Sequence, residues 1–341
     1  MTGTWAKSAG EGKGISKCSG SPEHPKLFAS AATWHQVVMI KTRLTLSALL
    51  LFGALPAWAE DRPAPSEIVA AAPKADWKAI APADLLVMDL APDARGKVRR
   101  VVIQMMPAPF GQGWIGNMRK LAAAHWWDGL SINRVQDNYV VQWGDADGED
   151  KAKARPLPSG LTVVPEADYV APAVTGQLPV RDAYAAQVGI TASGWPFASD
   201  GTAAWPVHCY GMVGVGRNLS PDTGSGAELY VVIGHAPRHL DRNIAVVGRV
   251  IEGMEHLSSL PRGTAPMGFY ASAAERTRIR AIRLGAEVQG LPAYEYLASQ
   301  TDSFGRYVAA RENRKDAFFN VPAGGADICN IPVPIRRAKA Q

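Results

Sequence analysis

The apolar runs of this chain follow one another in an order that a parallel sheet cannot use. Two of them, LLVMDL and KVRRVVIQMM, stand either side of the turn residues PDARG between 85 and 106, which is the pattern of a β-hairpin. Pro107 and Pro109 stop the second run. In WIGNMRKLAAA the apolar residues Ile115, Met118, Leu121 and Ala122 take a helical spacing. Strand-like runs follow at 132–145, 210–216, 228–234 and 244–251, then a short amphipathic helix in EGMEHLSSL (252–260) and a strand-like RTRIRAIRL (276–284). Adjacent parallel strands need long crossovers, usually helical, and this order of strand, strand, helix, strands, helix does not supply them. It predicts a mainly β chain built as an antiparallel barrel with few helices. The 33 glycines and 25 prolines among 341 residues agree, since both punctuate helices.

Residues 39–60, MIKTRLTLSALLLFGALPAWAE, have a different logic. Lys41 and Arg43 form a positive start, Leu44 to Leu55 an apolar run, and Ala57-Trp58-Ala59 a small-residue cleavage site. The apolar run is too short to span a bilayer, so a signal peptide cut after Ala59 is expected, with export to the periplasm or outside. No stable membrane insertion is expected after the cut. Residues 1–38 show no apolar periodicity and read as an over-called start ahead of Met39, or as a disordered extension. Residues 60–84 read as an N-terminal arm, 85–265 as the barrel with an insertion at 146–205, and 266–341 as a C-terminal extension.

That cut changes the charge argument. Residues 1–59 hold six Lys/Arg and two Glu, a net of +4 out of the chain's +5, so the remainder carries about +1. No basic stripe is left to support nucleic-acid binding. Of three cysteines only Cys209 and Cys329 remain, an even pair in an oxidising compartment. They either form one disulfide, tying the C-terminal tail to the body, or stay as two buried thiols.

The insertion 146–205 is rich in Pro, Gly and Ala and is weakly patterned, apart from a possible short helix at 180–188. Tyr184, Trp195, Phe197 and Trp205 within it read first as a local core and otherwise as partner contacts. In the tail, 294–319 reads as largely helical. Familiar chemical motifs are missing. His235 and His239 have Pro237 between them, and no H-E-x-x-H or cysteine pair accompanies them, so no metal site is expected. Gly224-Ser225-Gly226 lacks the setting of a nucleophile elbow. Gly214-Val215-Gly216 is no dinucleotide fingerprint, and DADGED (145–150) lacks the remaining ligands of a calcium loop. No cofactor is expected.

One residue asks for more. INRVQDNYVVQWGD (132–145) is a strand-forming run that carries a single arginine, Arg134, near its start. Its surroundings resemble the cyclophilins, the family of peptidyl-prolyl cis–trans isomerases. From Val98 to Asp145 the chain follows that family's hairpin, N-x-x-x-L helix, Y-x-G-like corner (here Trp127-Asp128-Gly129) and F-H-R-V…F-x-x-Q-x-G-D run. Here Ile132-Asn133-Arg134-Val135 stands for F-H-R-V. GMVGVGR (211–217) resembles the G-x-x-x-M-A-R strand, ELYVVIG (228–234) stands where Q-F-F-I belongs, and HLDRNIAVVGRVIEGME (239–255) resembles W-L-D…V-F-G-x-V-x-x-G-M.

The resemblance implies a closed eight-stranded antiparallel barrel capped by two helices. It makes Arg134 the catalytic arginine, with Gln142 beside it, and implies a substrate site of Tyr139, Val140, Gly216, Arg217, Glu228, Leu229, Tyr230, His239, Leu240 and Asn243. Implied partners are proline-containing polypeptides, unfolded or exported. The chain departs from the pattern at several places. Asn133 replaces a histidine, Glu228 a glutamine, Tyr230 a phenylalanine and His239 a tryptophan or phenylalanine, while the pocket histidine falls near Asn243 or Ile244. Two readings follow: an isomerase assisting exported proteins, or a catalytically weak cyclophilin-fold chaperone or binding module.

Overall fold

A computed structural model describes residues 62–339; the segments 1–38 and 39–59 lie outside the described residues. In chain order the elements are α1 (Pro65–Ala71), β1 (Trp77–Ile80), β2 (Leu85–Leu90), β3 (Arg99–Met105), α2 (Gln112–Ala123), β4 (Ser131–Val135) and β5 (Val140–Gly144). The insertion contributes β6 (Ala171–Pro172), β7 (Gln187–Ile190), β8 (Pro196–Ser199) and β9 (Ala203–Pro206). There follow β10 (Met212–Val215), β11 (Leu229–Val232), β12 (Val246–Glu252), α3 (Glu255–Ser258), β13 (Thr277–Leu284), β14 (Tyr294–Leu297), α4 (Asp302–Glu312) and β15 (Ile335–Arg337).

Eight of these strands close a barrel in the order β10-β11-β5-β4-β13-β2-β3-β12, with β12 returning to β10. Every pair in it is antiparallel. The hairpin expected at 85–106 is β2 and β3, in register from Leu85 opposite Gln104 to Leu90 opposite Arg99. Helix α2 buries Trp114, Ile115, Met118, Leu121 and Ala122, the face its spacing calls for. The indole N–H groups of Trp114 and Trp127 reach the backbone carbonyls of Thr223 and Ala227 at 3.1 and 2.8 Å, so these large side chains are buried with their polar atoms satisfied. Among the described residues no helix is long and apolar enough to cross a membrane.

Several local readings are corrected. The barrel does not end at residue 265: it is closed by β13, which follows that boundary and pairs with both β2 and β4. The insertion is not an irregular loop, because β6, β9, β8 and β7 form a four-stranded sheet. Trp195, Phe197 and Trp205 are buried in it, and only Tyr184 is exposed. No helix forms at 180–188; Gln187–Ile190 instead pairs with Pro196–Ser199, a long-range ladder overriding weak local propensity. In the tail the segment from Tyr294 begins as strand β14, held between β1 and β15, and helix starts only at Asp302. The N-terminal residues take part in this layer, β1 pairing with β14 and α1 packing on α4. Cys209 and Cys329 are joined in a disulfide across 120 residues of sequence, fastening the tail to the barrel.

Candidate active site

Strand register sets the site. Arg134 on β4 faces Gln142 on β5, Gln142 faces Tyr230 on β11, and Tyr230 faces Gly214 on β10. These four residues form one row across four adjacent strands. A register shift between Ile132 and Arg134 re-aims the arginine, a usual effect of a bulge. Alternation then sorts the neighbours. Val141, Trp143, Leu229 and Val231 are fully buried in the main core, while Val140, Tyr230 and Val232 form a separate apolar cluster with Tyr139 and Ile244 packed against it.

Arg134 is held on three sides. Its Nε–H donates to the Met267 carbonyl at 2.7 Å, Nη1 to Gln142 Oε1 at 3.3 Å, and Nη2 to Gln136 Oε1. Its Cζ lies 5.6 Å from the Tyr139 ring centroid and 5.4 Å from that of Phe269, so the guanidinium stands between two aromatic rings. Burial pulls its pKa below the usual arginine value, with Tyr139 acting in the opposite direction. A guanidinium has five N–H groups, so two remain without a partner among the described residues.

Behind Gln142 lies Glu228. Burial pushes its carboxyl up to about 8, with the Asp145 and Glu149 charges adding to the rise and hydrogen bonds from the Asp145 backbone and the Gln142 side chain opposing it. The Asp145 N–H donates to Glu228 Oε1 at 2.6 Å. Gly144 makes the room, since a Cβ there would sit 2.0 Å from that same oxygen. Gly216 is equally confined: its Cβ would meet Glu228 Cβ at 2.9 Å.

Tyr230 lies over Gly214, where a Cβ would come within 2.3 Å of the phenol ring and hydroxyl. The hydroxyl hydrogen-bonds His208 Nε2 at 2.8 Å, and His208 Nδ1 is 2.9 Å from Asp241 Oδ1. Asp241 Oδ2 accepts from Arg238 Nε at 2.6 Å, and Arg238 pairs with Asp182 of the insertion at 2.7 Å. All five side chains are buried. Burial raises the Tyr230 hydroxyl well above the ordinary tyrosine range, so it stays protonated. The network fixes the ring from behind and leaves its apolar face to the cluster.

The remaining expected site residues divide. Arg217 donates from Nε and Nη2 to the Asn243 carbonyl at 2.9 and 2.7 Å, and Asn243 Nδ2 reaches back to the His239 carbonyl at 3.2 Å. His239 and Asn243 are exposed, and Leu240 is half-buried but outside the apolar cluster, where Ile244 packs instead. Leu229 is corrected: period-two alternation sends it into the barrel interior, away from the site. The sequence does not single out His208, Arg238, Asp241 and Asp182 as site residues: Tyr230 and Asp241 lie 22 and 33 residues from His208, Asp182 lies 56 from Arg238, and the close pair Arg238 and Asp241 shows only a common i, i+3 spacing. Phe269 and Met267 were missed for the same reason. Among the described residues no group of three or more His, Cys, Asp or Glu is placed to hold a metal ion.

Residues 114–282 match the sequence profile of the family described as cyclophilin type peptidyl-prolyl cis-trans isomerase/CLD. No curated protein sequence matches the chain. Among solved structures, cyclophilin AquaCyp293 from Hirschia baltica superposes with a TM-score of 0.55 at 18% identity, covering 77% of this chain and 95% of that one. A cyclophilin type peptidyl-prolyl cis-trans isomerase of Cryptosporidium parvum gives a TM-score of 0.36 at 11% identity, over 59% of this chain and 97% of that one, too low to carry an argument. The matched segment runs through α2, the site strands and most of β13. The chain therefore carries a cyclophilin-type peptidyl-prolyl cis–trans isomerase domain, built on the closed barrel of the cyclophilin fold.

Proposed function

We propose that this chain catalyses cis–trans isomerisation of prolyl bonds in exported or unfolding polypeptides. The observation that carries the reading is a restrained guanidinium with two free N–H groups beside an apolar cluster that is separate from the core. A peptide bond resists rotation by roughly 18–20 kcal/mol because its nitrogen lone pair is conjugated with the carbonyl. Prolyl bonds cross that barrier unaided in tens to hundreds of seconds. The half-buried faces of Tyr139 and Ile244, backed by Val140, Tyr230 and Val232, would hold the proline ring and exclude water. The free N–H groups of Arg134 would then donate to the twisted amide, whose nitrogen regains its lone pair, more strongly than to either planar form. Gln142 keeps the cation in place, so little reorganisation accompanies the twist.

Export is supported by the signal-like run at 39–59 and by the Cys209–Cys329 disulfide, which suits a periplasmic or secreted setting. The second reading, a binding module without useful turnover, is favoured by the cover that residues 263–270 lay against Arg134. NMR exchange spectroscopy on a single-proline peptide separates the two. Cross-peaks between cis and trans forms at catalytic protein concentrations support the isomerase. Peptide shifts without exchange support the binding module.

A further inference from the structure

Between α3 and β13 the chain doubles back along β4. The Gly263 N–H donates to the Val135 carbonyl at 2.9 Å, the Tyr270 N–H donates to the Asn133 carbonyl at 3.0 Å, and Arg134 and Phe269 form an antiparallel bridge. This segment therefore adds a fifth member to the site row, which reads Phe269, Arg134, Gln142, Tyr230, Gly214. Its turn is closed by Ala265 N–H to Phe269 O at 2.9 Å and Gly268 N–H to Ala265 O at 3.2 Å. At the tip Met267 and Gly268 have φ of 59° and 80°. A left-handed methionine is a strained choice, and such strain gathers at functional sites. The tip is also seated hard: a Cβ on Gly268 would lie 2.6 Å from Gln136 Cα and 2.8 Å from the Val135 carbonyl.

This anchored turn leaves two large apolar side chains in water, Met267 at 64% and Phe269 at 39% exposure. Phe269 is bridged to Arg134 on the side away from Gln142 and the apolar cluster, and Met267 offers Arg134 its carbonyl. A polypeptide with its prolyl amide at Arg134 and its ring on that cluster would bring an adjoining side chain to Phe269 and Met267. We propose that these two residues select substrates with a large apolar side chain adjoining the proline. The inference rests on the peptide-binding reading above, and its chemistry is burial of apolar surface on both partners.

The test uses single-proline peptides with Ala, Leu or Phe either before or after the proline. Both kcat/KM and equilibrium binding by fluorescence titration are followed. The expected result is a preference of about tenfold for Leu or Phe over Ala at one of the two positions. It should fall to near unity in a Phe269→Ala, Met267→Ala double variant and return in Phe269→Leu. Thermal melting of each variant checks that it is folded. Equal use of the three peptides by the wild type, or a ratio unchanged in the double variant, overturns the proposal. If no peptide is turned over, the isomerase reading fails while the binding ratios still decide this one.

Discussion

Arg134 and Gln142 are directly opposed across β4 and β5, and the guanidinium donates to the amide oxygen at 3.3 Å. Gln142 is also opposite Tyr230, so one side chain spaces the cation from the wall of the apolar cluster. Replacing Gln142 by Leu keeps the volume but frees Arg134 to turn. A drop of about tenfold in kcat/KM is expected from the lost orientation, with KM changing less than kcat. Steady-state kinetics on an Ala-Pro peptide check it, alongside a melting curve within a few degrees of wild type.

Glu228 gives the fold a pH dependence with a defined sign. The unfolded carboxyl releases its proton near 4.5 and the folded one near 8, so between those values the folded state binds more protons. Stability therefore falls as pH rises across that window and levels off above it. Glu228→Gln should remove this slope and leave the variant more stable than wild type, by on the order of a few kcal/mol, at about pH 9. Urea unfolding at about pH 5 and pH 9 measures both limits.

The buried chain from Tyr230 to Asp182 predicts unequal losses. Tyr230→Phe removes one hydrogen-bonding hydroxyl from His208, a cost of about 1 kcal/mol. His208→Ala strips a partner from the Asp241 carboxylate as well, and about 3 kcal/mol or more is expected. Combining the two changes should cost less than their sum, since both break the same contact. A double-mutant cycle from urea midpoints decides it.

The Cys209–Cys329 bridge closes a loop of 120 residues, which corresponds to about 5 kcal/mol in the chain-entropy picture and commonly less in practice. A Cys209→Ser, Cys329→Ser variant should melt well below the oxidised wild type. The reduced wild type should match it. Equal melting of oxidised and reduced protein would show that the bridge carries no stability.

The barrel was legible because its strands advertise themselves locally: the unbroken apolar run in 228–234 and the turn PDARG between two apolar runs need no distant partner. Arg134 stood out for the same reason, as a cation in an apolar strand. What stayed hidden depends on distant pairing. His208 acquires its role only when Tyr230 and Asp241 arrive from 22 and 33 residues further along the chain. Phe269 matters only because the segment after α3 returns to β4. Leu229 was misplaced by motif position, although its own alternation with Tyr230 points it inward. The insertion's sheet escaped notice because its strands are short and interrupted by Pro196 and Gly189.

Turnover at this site should depend on Arg134. The deciding measurement is the cis-to-trans rate of an Ala-Pro test peptide with wild type, Arg134→Lys and Arg134→Ala. Clear acceleration by the wild type is expected, with a loss on the order of a hundredfold in Arg134→Ala and little recovery with lysine, whose point charge cannot reproduce the fork held by Met267, Gln142 and Gln136. A folded wild type that leaves the peptide at its uncatalysed rate, or an alanine variant as fast as wild type, would contradict it.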